Sequence, residues 1–371
     1  MASDVISFAR GAPSADILPA AAVREAAAKA LEDDWERALS YGTGRGHPGL
    51  CEWIAAELHG IEAERVMVTN GSMDAAALLF RYLLEPGDRV IVEQPTYDRT
   101  LLLLNRAGVD LVPVPLEEDG LELASFEAAL EAALSGGPIK LAHVIPNFHN
   151  PAGCTLSEAK RERVVELAAE HGFWLFEDDP YRLIAFEPSE LPTMLSLDRA
   201  DRVIHASSFS KTVSPGVRVG YLAGPAEQIA MLAKRGSEHY ISPNMLAESI
   251  VLEMCRSGIL EENVRFVNAA LKERRDALVA SLRERIGEAR FVVPGGGYFL
   301  WVDLADDADT PAMLEAAKEE GVAFVAGPDF MLHGGHSSLR FSFASVPPER
   351  VDEGVARVAR ALERTRAAAA A

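Results

Sequence analysis

"RVMVTNGSMDAAALLFRYLLEPGDRVIVEQP", residues 65–95, reads as a strand, a helix and a second strand in immediate succession. Val66–Thr69 is a short apolar run rich in β-branched residues, and Asn70-Gly71 ends it with turn chemistry. Ser72 opens a segment of alanine and leucine long enough for three helical turns, and Pro86-Gly87 closes it. Val90–Val92 then repeats the character of the first run. Two strands joined through a helix run parallel, because the connection has to cross back over the sheet.

The same alternation continues outward. "VDLVPVPL", "KLAHVIPN", "FWLFEDDP" and "DRVIHASS" read as further strands, separated by the helices "YDRTLLLLNRAG", "LASFEAALEAALSGG" and "SEAKRERVVELAAEHG". The fold class is therefore α/β with a largely parallel sheet, and sheets of this kind take ligands at the carboxyl ends of their strands. After about residue 260 the texture changes to one long charged helix and the segments "ARFVVPGGGYFLWVDL", "VAFVAGPDF" and "SLRFSFA", which suit a smaller α/β unit with an antiparallel sheet. The expected partition is an N-terminal arm over 1–40, a large domain over 41–260 and a small domain over 261–371. "AAAVREAAAKALEDDWERAL" carries helical periodicity through the arm, which could pack on the small unit or reach a partner subunit.

A formal net charge of −20 argues against nucleic acid or an anionic membrane as the main partner. Cys51, Cys154 and Cys255 are odd in number and far apart, which fits neither a disulfide framework nor a structural zinc site. With no basic-then-apolar leader pattern at the start and no apolar run long enough to span a bilayer, a cytoplasmic location is expected.

Polar clusters fall at the expected strand ends. Gly71 and Ser72 stand where unpaired N–H groups and the helix dipole favour an anion, although a plain N-cap would use the same residues. "PNFHNPAG" (146–153) is a turn or a ligand loop. "FEDDPY" (176–181) offers Asp178 and Asp179, which could cap a helix, bind magnesium or pair with a buried cation. In "SSFSKTVSPGVRVGY" (207–221), Lys211 lies among small hydroxyl residues with Arg218 seven positions on. Arg340 interrupts the alternating "SLRFSF", either on an exposed strand face or as a planar fork for a carboxylate. Amine, anion cradle, carboxylate, phenol, amide and two guanidinium groups together suit an aldehyde cofactor with a phosphate tail, held as a Schiff base.

In this order, "SSFSKTVSPGVRVGY", "PNFHNPAG", "EDDPY" and "LRFSF" resemble the fold-type I pyridoxal-phosphate aminotransferases, nearest to the branch of 2-aminoadipate and kynurenine aminotransferases. The resemblance runs from "ISFARGAPS" to Arg340. It implies a large domain on a mostly parallel, seven-stranded type of sheet, a smaller α/β domain built from both termini, and a homodimer with shared active sites. It implies that Lys211 forms the aldimine with pyridoxal 5'-phosphate and moves the proton, that Asp178 pairs with the ring nitrogen, and that Tyr181 and Asn150 bond the phenolic oxygen. Gly71, Ser72, Met73, Ser208, Ser210 and Arg218 would hold the phosphate, Tyr97 would stack on the ring, and Tyr41 would reach the phosphate in a neighbouring subunit. Arg340, with Asn150 and Gly11, would face the substrate, Arg340 gripping its α-carboxylate.

The chain departs from the pattern at Met73-Asp74, where glutamine is common, and at Cys51, where arginine is common; His149 beside Asn150 could face the substrate. The implied reaction is ping-pong transfer of an amino group from an L-α-amino acid to a 2-oxo acid. Elimination, decarboxylation or oxidative chemistry on the same cofactor is the alternative. A ligand-sensing regulator with a DNA-binding module is not expected, given the acidity and a start directly at "ISFARGAP". "GTGRGHPG" lacks a preceding strand and reads as a turn, and the two imidazoles of "HGGH" (333–336) are too few for a metal site.

Overall fold

The computed structural model describes residues 5–188, 191–305 and 307–370. Val66–Thr69 (β1), Arg89–Gln94 (β2), Asp110–Glu117 (β3), Ile139–Val144 (β4), Trp174–Asp178 (β5), Val203–Ser208 (β6) and Gly220–Ala223 (β7) form one sheet in the spatial order β1-β7-β6-β5-β4-β2-β3. The two-residue strand Gly120–Leu121 extends it beyond β3. Strands β6, β5, β4, β2 and β3 pair in parallel, whereas β7 runs antiparallel to both β1 and β6. The sheet is thus mostly parallel.

Within each strand, alternate residues feed opposite faces. Val66, Val68, Ala142, Val144 and Leu175 join one apolar cluster; Met67, Leu141, Phe176, Ile204 and Leu222 join another. Both faces are covered, which is why these strands read as continuous apolar runs rather than alternating ones. After β2 the chain steps outward to β3 and then returns to the other side of β2 with β4. The strand order reverses between β2 and β4, and a crevice at the carboxyl ends follows from that reversal.

A second sheet consists of Phe299–Asp303 (β8), Val325–Ala326 (β9) and Ser338–Ser342 (β10), ordered β8-β10-β9 and antiparallel throughout. Its cluster, centred on Tyr298, Leu300, Leu339 and Phe341, also takes in Ile6, Phe8 and Ile17 from the N-terminal segment. Ile6–Ser7 pairs in parallel with Val322–Ala323, and the Phe8 and Phe341 rings meet edge to face at 5.1 Å.

Three local expectations change. β7 was not foreseen, since four residues after a loop carry little strand signal and their partners are distant in sequence. "VAFVAGPDF" divides at the buried Phe324, with Val322–Ala323 going to the N-terminal strand and Val325–Ala326 to β10. The helix expected over 20–39 spans Ala20–Asp33 and resumes only as the single turn Trp35–Ala38. Asp34 leaves helical geometry at φ −137°, and its carboxylate meets His47 Nε2 at 2.8 Å. Among the described residues no helix is long and apolar enough to cross a membrane.

Candidate active site

The carboxyl ends of β2, β4, β5 and β6, together with the start of the helix Ser72–Leu83, enclose one cavity. Ser72, Met73, Tyr97, Asn150, Asp178, Tyr181, Ser208, Ser210, Lys211 and Arg218 line it, together with Ile145, Pro180 and Pro215. Segments of the chain separated by well over a hundred positions meet here.

Part of the cavity's wall is an anion cradle. Gly71 has φ +91°, and a side chain there would run into the Arg218 guanidinium. A Cβ on Gly220 would come within 2.6 Å of the Gly71 carbonyl carbon and the Ser72 nitrogen. Two glycines therefore let β7, Arg218 and the helix start approach closely. Arg218 donates through Nη1 to Ser210 Oγ at 3.3 Å and through Nη2 to the Asn70 carbonyl at 3.2 Å. Its own φ is +52°, a conformation that costs a non-glycine residue energy and is held by these bonds. Ser208 Oγ accepts from the Ser210 N–H at 3.1 Å and donates to the Val219 carbonyl at 3.2 Å. A fixed guanidinium, hydroxyl groups and the first free N–H groups of a helix together suit a phosphate.

Asp178 lines the same cavity. Oδ2 lies 3.3 Å from His143 Nε2, and Oδ1 is buried without a partner among the described residues. A carboxylate oxygen left without a donor at the wall of a cavity suits a cationic nitrogen inside it. Asp179 points through the opposite face of the sheet, where it accepts from Asn147 Nδ2 at 2.8 Å, so the two aspartates cannot share a magnesium ion. Burial pushes the Asp179 carboxyl up to about 6. Behind the sheet Asp179 comes together with Glu177 and His205, and Glu177 accepts from His205 Nδ1 at 2.9 Å. That grouping gave no sequence signal of its own.

Lys211 lines the cavity as well and feels the charges of both Arg218 and Asp178. Its Nζ donates to the Gly11 carbonyl at 2.9 Å and sits 4.8 Å from the Tyr298 ring centroid and 5.4 Å from that of Tyr181. Desolvation, followed by the charges of Arg340 and Arg218, pushes its amine down to about 8, against the pull of Asp178. Tyr298 donates its hydroxyl to the Lys211 carbonyl at 3.2 Å. Burial raises the Tyr181 phenol well above its ordinary value and raises that of Tyr97 as well, so both remain protonated donors at neutral pH.

Arg340, on β10, does not line the cavity but bonds Asn150, which does. Nη1 donates to Asn150 Oδ1 at 3.1 Å and Nη2 to the Ala9 carbonyl at 2.9 Å, while Nε has no partner among the described residues. Its guanidinium carbon is 4.2 Å from the Phe299 ring centroid and 4.7 Å from that of Phe330. A planar cation held between aromatic rings keeps its orientation.

The remaining expectations divide. Gly11 joins the site through its carbonyl. Tyr41 is 84% exposed and does not line the cavity of its own chain. His149 does not face the substrate: it is fully buried against Glu93, with Nε2 and Oε2 3.1 Å apart. Cys51 is buried, and desolvation pushes its thiol up to about 12. "GTGRGHPG" is a turn closed by Gly46 N–H donating to the Thr43 carbonyl. His143 and Tyr298 were missed, one hidden inside an apolar strand and the other in a core segment.

An anion cradle, an unpartnered carboxylate oxygen and an amine of lowered pKa along one cavity fit pyridoxal 5'-phosphate. A family model for class I and II aminotransferases matches residues 3–358. The chain is 34% identical to a 2-aminoadipate transaminase of Thermus thermophilus, covering 97% of this chain and 90% of that one. It is 33% identical to aromatic-amino-acid aminotransferase 1 of Thermococcus litoralis, covering 97% and 88%. The crystal structure of a kynurenine aminotransferase of Pyrococcus horikoshii superposes with a TM-score of 0.93 at 32% identity, over 98% of this chain and 92% of that one. The chain belongs to the class I and II aminotransferases and is a pyridoxal-phosphate-dependent transaminase of fold type I.

Proposed function

We propose that the residues of this cavity divide the work of amino-group transfer between an L-α-amino acid and a 2-oxo acid as follows. Arg218, Ser208, Ser210 and the Gly71–Met73 backbone hold the cofactor's phosphate, and Tyr97 covers its ring. Asp178 keeps the ring nitrogen protonated by charge pairing, and Asn150 and Tyr181 donate to the phenolic oxygen. When bound, the cofactor supplies an electron sink for the bond broken at the substrate's α-carbon. The Lys211 Nζ carries the cofactor covalently between turnovers and moves the α-proton during them. Arg340 receives the substrate α-carboxylate, and its unpartnered Nε and aromatic clamp prepare it for that anion.

The observation that carries this assignment is the convergence of Arg218, Lys211 and Asp178 on a single cavity, where the Lys211 amine feels the charges of both other residues. Borohydride reduction of the cofactor-saturated protein, followed by peptide mapping, is expected to find the pyridoxyl group on residue 211. Incubation with amino acids and a panel of 2-oxo acids is expected to yield new amino acid. Ammonia, carbon dioxide or peroxide formed without a keto acceptor would instead indicate lyase, decarboxylase or oxidative chemistry.

Three organisational points belong to the same proposal. The partition into an arm over 1–40, a large domain over 41–260 and a small domain over 261–371 draws support from the two larger sheets, which lie at 66–223 and 299–342, and from Ile6, Phe8 and Ile17 of the arm joining the cluster of the second. Trp35, Leu39, Tyr41 and Ile241 leave large apolar side chains exposed. Gly42 N–H donates to Ser242 Oγ, and the Asn244 N–H donates to Asn70 Oδ1 beside the anion cradle. This supports a homodimer in which Tyr41 completes the partner's phosphate site. The acidic charge and the three unpaired, buried thiols support a cytoplasmic enzyme.

A further inference from the structure

Asn150 occupies a demanding position. Its Oδ1 holds Arg340, while its amide nitrogen remains available to the cofactor side of the cavity. The residue sits in a turn, so something other than a sheet ladder has to fix it. The neighbouring His149 makes four contacts that bear on that turn. Its N–H donates to the Cys154 carbonyl at 2.8 Å, and its carbonyl accepts from the Gly153 N–H at 2.7 Å. Its ring Nδ1 accepts from the Ala152 N–H at 3.2 Å. Since Nδ1 is an acceptor, the ring proton lies on Nε2, which donates to Glu93 Oε2 at 3.1 Å. Glu93 stands near the end of β2, and the same oxygen accepts from the Ile145 N–H at 2.8 Å, just beyond β4. Glu93 is 2% exposed and His149 0%.

We propose that Glu93 and His149 form a buried strut that positions Asn150, and through Asn150 the substrate-binding Arg340. The two strands that Glu93 bridges flank the point where the strand order reverses, so the strut ties the turn to the sheet. His149 is a positioning residue: it touches neither cavity nor substrate, and it acts by fixing which way its neighbour's amide points. A buried carboxylate needs its donors, and the imidazole supplies one while its other nitrogen closes the turn. This inference rests on the roles proposed above for Asn150 and Arg340.

Two substitutions divide the strut. His149→Gln places an amide nitrogen near the former Nε2, keeping the Glu93 bond and losing the acceptor for Ala152. His149→Asn places an oxygen near the former Nδ1, keeping the turn and losing the donor to Glu93. Each is expected to fold, to bind cofactor and to raise KM for both the amino donor and the 2-oxo acid by about tenfold, with a smaller change in kcat; His149→Ala is expected to be worse than either. The visible absorbance of the cofactor-loaded enzyme is expected to shift, because the amide beside its phenolic oxygen is displaced. Folded Gln and Asn variants with unchanged KM values and unchanged absorbance overturn the strut, as does a loss of activity that follows thermal stability alone. Asn150→Ala separates the two levels. If it leaves KM and absorbance unaltered, the role of Asn150 fails and the strut with it; if it alters them while the His149 variants do not, only the strut fails.

Discussion

His143 Nε2 and Asp178 Oδ2 lie 3.3 Å apart on adjacent parallel strands, leaving Oδ1 of the same carboxylate unpartnered at the cavity wall. One oxygen is thus committed to the protein, and in the proposed assignment the other is left for the cofactor. Asp178→Asn retains the shape and removes the charge. It is expected to lower kcat by about 10²–10³-fold, the usual scale for losing one preorganised charge partner, while cofactor remains bound through the phosphate cradle. Wild-type kcat in a cofactor-loaded Asn variant would exclude charge pairing at this position.

In the proposed assignment Arg340 would recognise its ligand by shape as well as charge. Arg340→Lys keeps the cation but gives up the fork and the fit between Phe299 and Phe330. KM for both substrates is expected to rise by about 10–100-fold, corresponding to roughly 1.4–2.8 kcal/mol, with kcat less affected. Steady-state kinetics with one amino donor and one 2-oxo acid checks this, and equal KM values would place the carboxylate elsewhere.

The amine of Lys211 has its pKa lowered from 10.5 to about 8. In the cofactor-free protein the folded state therefore binds fewer protons than the unfolded state between about pH 8 and 10.5. Stability is expected to rise across that window and to carry a constant penalty below it. Lys211→Met should remove this slope from melting curves measured against pH. The rate of recombination with pyridoxal 5'-phosphate, which needs the neutral amine, should level off above about pH 8. A rate still climbing toward pH 10.5 contradicts a desolvated amine.

Gly220 admits the backbone at Gly71 and Ser72 that forms the cradle's floor. Gly220→Ala forces β7 and the start of the helix Ser72–Leu83 apart. Overpacking of this kind costs about 1–3 kcal/mol. Cofactor affinity, followed by fluorescence titration, is expected to fall by more than tenfold. Unchanged affinity would mean that the cradle does not depend on this close approach.

Sequence alone determined the crossover pattern, the positions of most sheet strands along the chain, and the chemical inventory at their carboxyl ends. The period and length of apolar runs are local properties, and so are the turn residues that stop them. The resemblance singled out Asp178 over Asp179, and the pleat of β5 supplies the physical reason by sending the two side chains to opposite faces. Only the tertiary structure decided the rest. β7, the splitting of 322–326 between two partners, His143 behind Asp178, Tyr298 over Lys211 and Glu93 beneath His149 all depend on contacts between residues far apart in the chain. A side chain's spacing along the sequence fixes which face it shares, but what it meets across that face is settled by packing.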